Sequence, residues 1–188
     1  EAAVAKYASN AFHAVKVTFA NEIGSISKSV GADARTILEI LCRDTTLNIS
    51  EAYLKPGMPY GGSCLPKDVS ALVGLASGVG ATAQMLGTLN QSNDNQISSI
   101  CDRLLEGKPE SIGFLGISFK QGTDDLRGSP FVKIARCLMD KGVRVSIYDK
   151  DVDLERFTGA NLAFLNSLLP ELSEITFSRA SEVIDNCE

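Results

Sequence analysis

The chain has little that would serve a metal or a membrane. It carries one histidine and five cysteines (Cys42, Cys64, Cys101, Cys137 and Cys187), with no CxxC pair among them, so the usual zinc spacings are absent. The odd cysteine count argues against a disulfide framework and fits reduced thiols in a cytoplasmic protein. No apolar run is long enough to cross a bilayer. Basic residues are in the minority: 18 Lys and Arg against 23 Asp and Glu leave a formal net charge of −5. That balance argues against general nucleic-acid binding, but local lysines can still hold an anionic small molecule. There is no internal repeat and no low-complexity segment. Gly113 and Gly116 supply only part of a GxGxxG fingerprint. What remains, 44% hydrophobic and 22% charged over 188 residues, suits one globular domain or two small ones.

Against this background one segment stands out: Tyr60-Gly61-Gly62-Ser63-Cys64-Leu65-Pro66-Lys67-Asp68. Glycines allow a backbone to approach a ligand closely and to adopt positive φ. Pro66 stiffens the turn and pre-sets φ for a helix start. A cysteine becomes nucleophilic when a nearby cation or a helix N-terminus stabilises its thiolate. The segment therefore reads as a nucleophilic Cys64 held at the mouth of a helix. A buried structural cysteine beside a turn is the alternative.

The first part of the chain reads as all-helical. Residues 2–30 form one long Ala-rich helix with apolar spacing through Val4, Ala8, Ala11, Val15 and Phe19. Gly31 ends it, and Asp33 caps a second helix over 34–43. Further helices are expected over 67–76 and 83–106, the latter polar on one face through Gln91, Asn93, Asn95 and Gln96. After Lys108-Pro109 the character changes. The run 111–118 reads as a buried parallel strand, Pro130 opens a helix to Asp140, and 143–148 reads as a second strand followed by Asp149. Segments 162–169 and 180–185 read as helical, and 175–177 as a third strand. The expected organisation is α followed by α/β, with segments 1–106 and 109–188. The chain begins at Glu1 directly in helical sequence, without methionine or signal peptide, and its sheet looks unfinished; the expectation is a piece of a longer protein.

Two further patterns point to a site. Lys6, Asn10, His13 and Asn21 fall within an arc of about 80° on the first helix, given 100° per residue. A cation, two amides and an imidazole on one face of a largely apolar helix suggest a lined cavity; a solvated face is the alternative. In the loop after the first strand, Lys120 and Arg127 lie where ligands of open α/β sheets bind, and both suit phosphate. An ordinary polar loop with a local Asp–Arg pair reads equally well there.

Taken together, Lys6-Tyr7-x-x-Asn10, KVTFANEIG (16–24), GGSCLPKD (61–68) and GISFKQGTDDLRGSP (116–130) resemble the nucleotide-sugar 6-dehydrogenases, the UDP-glucose and GDP-mannose dehydrogenases. His13, Leu47-Asn48-Ile49-Ser50 and Leu65 favour the GDP-mannose branch over the UDP-glucose one. The resemblance implies a central helical domain that forms homodimers and an incomplete Rossmann-like C-terminal α/β domain that binds the nucleotide sugar. The family's N-terminal Rossmann domain, with its NAD fingerprint, has no counterpart here. The resemblance further implies roles: Cys64, Lys6, Asn10 and Asp68 catalytic; His13, Asn21, Tyr53, Lys55, Met58, Gly61 and Lys120 at the nucleotide sugar; Lys67 and Arg127 at NAD. Met58 departs from a frequently aromatic position, and Gly128 stands where an acidic residue commonly follows the arginine. No nucleic-acid, membrane or metal partner is implied. Two other readings stay open. One is a cysteine hydrolase or acyltransferase using Cys64 with His13. The other is a non-catalytic helical dimerisation module.

Overall fold

A computed structural model describes residues 2–50, 52–53, 57–154, 163, 167 and 169–187, with the backbone alone at 2–4, 7–11 and 13. The chain divides into two compact units, Glu1–Gly57 with Asp68–Gln91, and Met58–Lys67 with Ser92–Glu188.

The first unit is helical. It contains α1 (Ala2–Ser29), α2 (Ala34–Arg43), most of α3 (Leu65–Gly78) and the start of α4 (Gln84–Leu105). Its core gathers Ile23, Ile26, Ala76 and Leu86, with Phe19, Leu38, Leu72 and Val73 packed around them. Glu22 is buried in α1 and accepts from the Met85 and Leu86 N–H groups at 2.7 and 3.0 Å. These are donors that the first turn of α4 cannot satisfy internally, so a carboxylate from α1 caps α4. Asp33 caps α2 as its sequence position implies, accepting from the Arg35 N–H at 3.1 Å and the Thr36 hydroxyl at 2.6 Å. Of the apolar face expected along α1, Val15 is exposed and Phe19 half-buried, and the side chains of Val4, Ala8 and Ala11 lie outside the described residues.

The second unit is α/β. Strands β1 (Ser111–Leu115) and β2 (Arg144–Tyr148) pair in parallel, from Ser111 opposite Arg144 to Leu115 opposite Tyr148. Helix α5 (Pro130–Asp140) lies between them in sequence, with Pro130 at its first position. The core combines Ile97 and Cys101 of α4 with Ile117, Leu126, Val132, Ile134, Leu138, Val145 and Ile147. Two short helices, α6 (Leu172–Ile175) and α7 (Ala180–Asp185), complete the described part.

Several expectations are corrected. β1 stops at Leu115 and not at Ser118, because Gly116 turns to φ +107° and the next two N–H groups leave the ladder for Asp149. It is also half exposed rather than buried. The third strand is reduced to a single parallel bridge, Thr176 to Ile147, since Leu172–Ile175 is already helical. Helix α3 starts two residues earlier than expected, with Pro66 inside its first turn. The amides of α4 do not share a face: Gln91, Asn95 and Gln96 are exposed, whereas Asn93 is half-buried and bonded to Tyr60. Of the helical piece at 162–169, only Ala163, Ser167 and Leu169 lie within the described residues. Within the two compact units, 58–67 and 92–105 belong to the α/β unit.

Candidate active site at the Cys64 turn

Cys64 immediately precedes α3, whose second residue is Pro66 and whose first turn holds Asp68. The thiol is exposed, with Ser63 Oγ 3.9 Å from its Sγ. A helix N-terminus presents unpaired N–H groups and a partial positive charge, which favour a thiolate there.

The turn is held against the loop that follows β1. The Gly62 N–H donates to the Gly128 carbonyl at 3.3 Å. A Cβ on Gly61 would stand 2.5 Å from the Gly128 oxygen and 2.5 Å from Pro130 Cδ. One on Gly62 would stand 2.8 Å from the Phe119 ring, and one on Gly128 2.7 Å from the Gly62 oxygen. Gly62 and Gly128 also have φ of +86° and +64°, where side chains are strained. Two backbones and a ring therefore meet with no room for a side chain.

This contact sets Arg127, one residue before Gly128, beside the cysteine turn. Asp125 grips Arg127 through Nε to Oδ1 at 2.9 Å and Nη2 to Oδ2 at 2.8 Å. That bidentate pair holds the guanidinium above its ordinary value, with a smaller contribution from the nearby Cys64. The same pair holds the Asp125 carboxyl below its usual range.

Phe119 also borders a cavity of about 580 Å³ at the carboxyl ends of β1 and β2. Its wall includes Met58, Pro59, Phe119, Lys120, Tyr148 and Asp149. Strand ends of this kind are where open α/β sheets bind ligands. Asp149 organises the floor. One of its oxygens accepts from the N–H groups of Ile117 and Ser118 and from the Ser118 hydroxyl, at 2.8, 3.1 and 3.0 Å; the other accepts from the Asp151 N–H at 3.0 Å. Burial alone would raise its pKa, but these donors together lower it. The stability it contributes is present above the ordinary carboxylate range and is lost as pH falls through that lowered value. These backbone donors are taken by Asp149, so positive charge toward an anion in the cavity comes from Lys120 and Lys150.

Of the residues singled out from sequence, the α/β unit brings together Cys64, Met58, Gly61, Lys67, Lys120 and Arg127. Met58 and Lys120 line the cavity, Gly61 lies against Gly128 and Pro130, and Lys67 is exposed in the first turn of α3. In the helical unit Lys6, Asn21, Tyr53 and Asp68 are exposed, and Tyr53 has φ +64°. The side chains of Asn10 and His13 and the whole of Lys55 lie outside the described residues. Sequence reasoning gave no role to Asp149, Phe119 or Asn93. Asp149, directly after a strand, carried a usable signal, and Asp125 is the acid of the local Asp–Arg pair that the ordinary-loop reading offered; Phe119 and Asn93 depend on contacts distant in sequence. Among the described residues there is no cluster of His, Cys, Asp or Glu able to hold a metal, and no helix is long and apolar enough to cross a membrane.

Residues 1–103 match the UDP-glucose/GDP-mannose dehydrogenase family, central domain, and residues 113–185 match the same family's UDP binding domain. A GDP-mannose 6-dehydrogenase from Pseudomonas aeruginosa is 46% identical over 179 residues, covering 95% of this chain and 41% of that protein. One from Azotobacter vinelandii is 42% identical over 179 residues, again 95% of this chain and 41% of the relative. Among solved structures, a ternary complex of GDP-mannose dehydrogenase from P. aeruginosa superposes with a TM-score of 0.90 at 44% identity, over 98% of this chain and 42% of that one. The chain thus spans less than half the length of these relatives.

Proposed function

Because the chain belongs to the UDP-glucose/GDP-mannose dehydrogenase family, we propose that it forms the central and C-terminal part of an NAD-dependent GDP-mannose 6-dehydrogenase. The reaction is a four-electron oxidation of the sugar C6 alcohol to a carboxylate, giving GDP-mannuronate. What supports this most is the arrangement at Cys64: a thiol at a helix N-terminus, beside a gripped arginine, on the unit that carries a strand-end cavity. UDP-glucose oxidation is the alternative within the family. GDP-mannose is favoured by the identity of the relatives and by His13 and Leu65 in the sequence.

Cys64 Sγ adds to the C6 aldehyde carbon and forms a thiohemiacetal, so the acid level is reached as a thioester on the enzyme. Water positioned by Asp68 and Asn10 cleaves that thioester. Lys6 and Asn10 stabilise negative charge on the C6 oxygen. His13, Asn21, Tyr53, Lys55, Met58, Gly61 and Lys120 contact the nucleotide sugar. Arg127 and Lys67 fit the cofactor chemically, since a guanidinium near the cysteine turn and an ammonium in the first turn of α3 match a diphosphate. NAD, when bound, supplies the hydride-accepting chemistry.

The helical unit is proposed to dimerise. Phe12, Val15 and Val17 of α1 and Ile37 and Ile40 of α2 are exposed, more apolar surface than so small a unit ordinarily leaves to water. A monomer at micromolar concentration in sedimentation equilibrium would count against this. The substrate assignment is tested by steady-state kinetics on a protein that joins this chain to the remaining length of its relatives. We expect a higher kcat/KM for GDP-mannose; an equal or higher value for UDP-glucose overturns the assignment.

A further inference from the structure

We propose that Asn93 is a positioning residue for the Cys64 turn; the inference rests on the reading of Cys64 as the nucleophile. Asn93 lies in the interior of α4, where asparagine is a poor helix former because its amide competes for backbone groups. Here that amide is engaged outside the helix. Its Oδ1 accepts from the Tyr60 N–H at 2.9 Å, and its Nδ2 donates to the Tyr60 carbonyl at 2.9 Å. One side chain thus satisfies both backbone polar groups of a single residue, as a neighbouring strand would.

The position of Tyr60 gives this clamp its consequence. Immediately before it are Met58 and the buried Pro59, both in the cavity wall. Immediately after it are Gly61 and Gly62, packed on Gly128, and then Cys64. The loop therefore has two anchors on the α/β unit, the Asn93 amide and the Gly62–Gly128 contact. The next residue of α4, Asp94, pairs with Lys133 of α5 at 2.8 Å, so α4 is itself tied to the α/β unit there. Without Asn93 the turn loses the anchor at Tyr60, and Cys64 loses its fixed place beside Arg127.

The test uses this chain with two readouts. The first is hydrogen exchange at the Tyr60 and Gly62 amides. The second is the rate of iodoacetamide labelling at each cysteine by mass spectrometry, followed as pH is raised. In Asn93→Ala we expect faster exchange at Tyr60 and Gly62 with unchanged exchange over 97–105. We also expect Cys64 labelling at neutral pH to fall by about fivefold. Asn93→Asp keeps the acceptor for the Tyr60 N–H and removes the donor, so exchange at Tyr60 should stay slow. Lys133→Ala, which breaks the neighbouring ion pair, should leave both readouts at the wild-type level. Wild-type exchange at Tyr60 and Gly62 in the Ala variant, or equal slowing of labelling by Lys133→Ala, overturns the inference. If wild-type Cys64 is labelled no faster than the exposed Cys42, the nucleophile reading fails instead, and the clamp stands or falls on the amide exchange alone.

Discussion

Replacing Cys64 by Ser in the longer protein should reduce formation of the sugar acid by on the order of a thousandfold or more, because the covalent step has no other nucleophile. Serine is nearly isosteric, but its hydroxyl is far less acidic than a thiol and gains little from the helix N-terminus and Arg127. The first oxidation, alcohol to aldehyde, needs no thiol and should persist at a measurable rate. Cys101 cannot substitute: it is buried, and burial together with its contact to Cys137 pushes its pKa up to about 12. A Cys64→Ser enzyme that makes the acid at the normal rate contradicts the covalent mechanism outright.

The second large effect is expected on stability. At Gly128 an alanine would take a left-handed φ of +64° and bring its Cβ to 2.7 Å from the Gly62 oxygen, a backbone atom that cannot swing aside. Left-handed strain and a backbone clash together amount to roughly 2–4 kcal/mol. For a chain of this size that lowers the thermal midpoint by on the order of 5–10 °C. Gly122 is the natural control: its φ is +76°, but a Cβ there meets nothing within 4 Å. Calorimetry showing Gly128→Ala to be no worse than Gly122→Ala would mean that the glycine contact does not shape the turn.

Gly128 also shows where sequence reasoning reaches its limit. In sequence it looked like a departure from a position that is commonly acidic, with no reason attached. The reason lies 66 residues earlier along the chain, in the backbone of Gly62. Local signals were legible: Asp33 and Gly31 bound α2 and α1, Pro130 opens α5, and the Cys64 turn leads into a helix. The composition of GGSCLPKD carried the nucleophile reading without any tertiary information. Features set by distant partners were not legible. The end of β1 depends on Asp149, which captures the Ile117 and Ser118 N–H groups from the far end of β2. The role of Asn93 depends on Tyr60, 33 residues away, so its amide read as one more polar position on α4. The glycine contact, between residues distant in sequence, is what brings Arg127 to the Cys64 turn.

In the proposed reaction the longer protein takes the aldehyde to the acid through the Cys64 thiol. The most direct test is the yield of NADH per GDP-mannose consumed by the longer protein, with the sugar product identified. The account predicts two NADH per sugar and a C6 carboxylate for the wild type, and at most one NADH with aldehyde as the product for Cys64→Ser. One NADH per sugar and an aldehyde product from the wild type would contradict it.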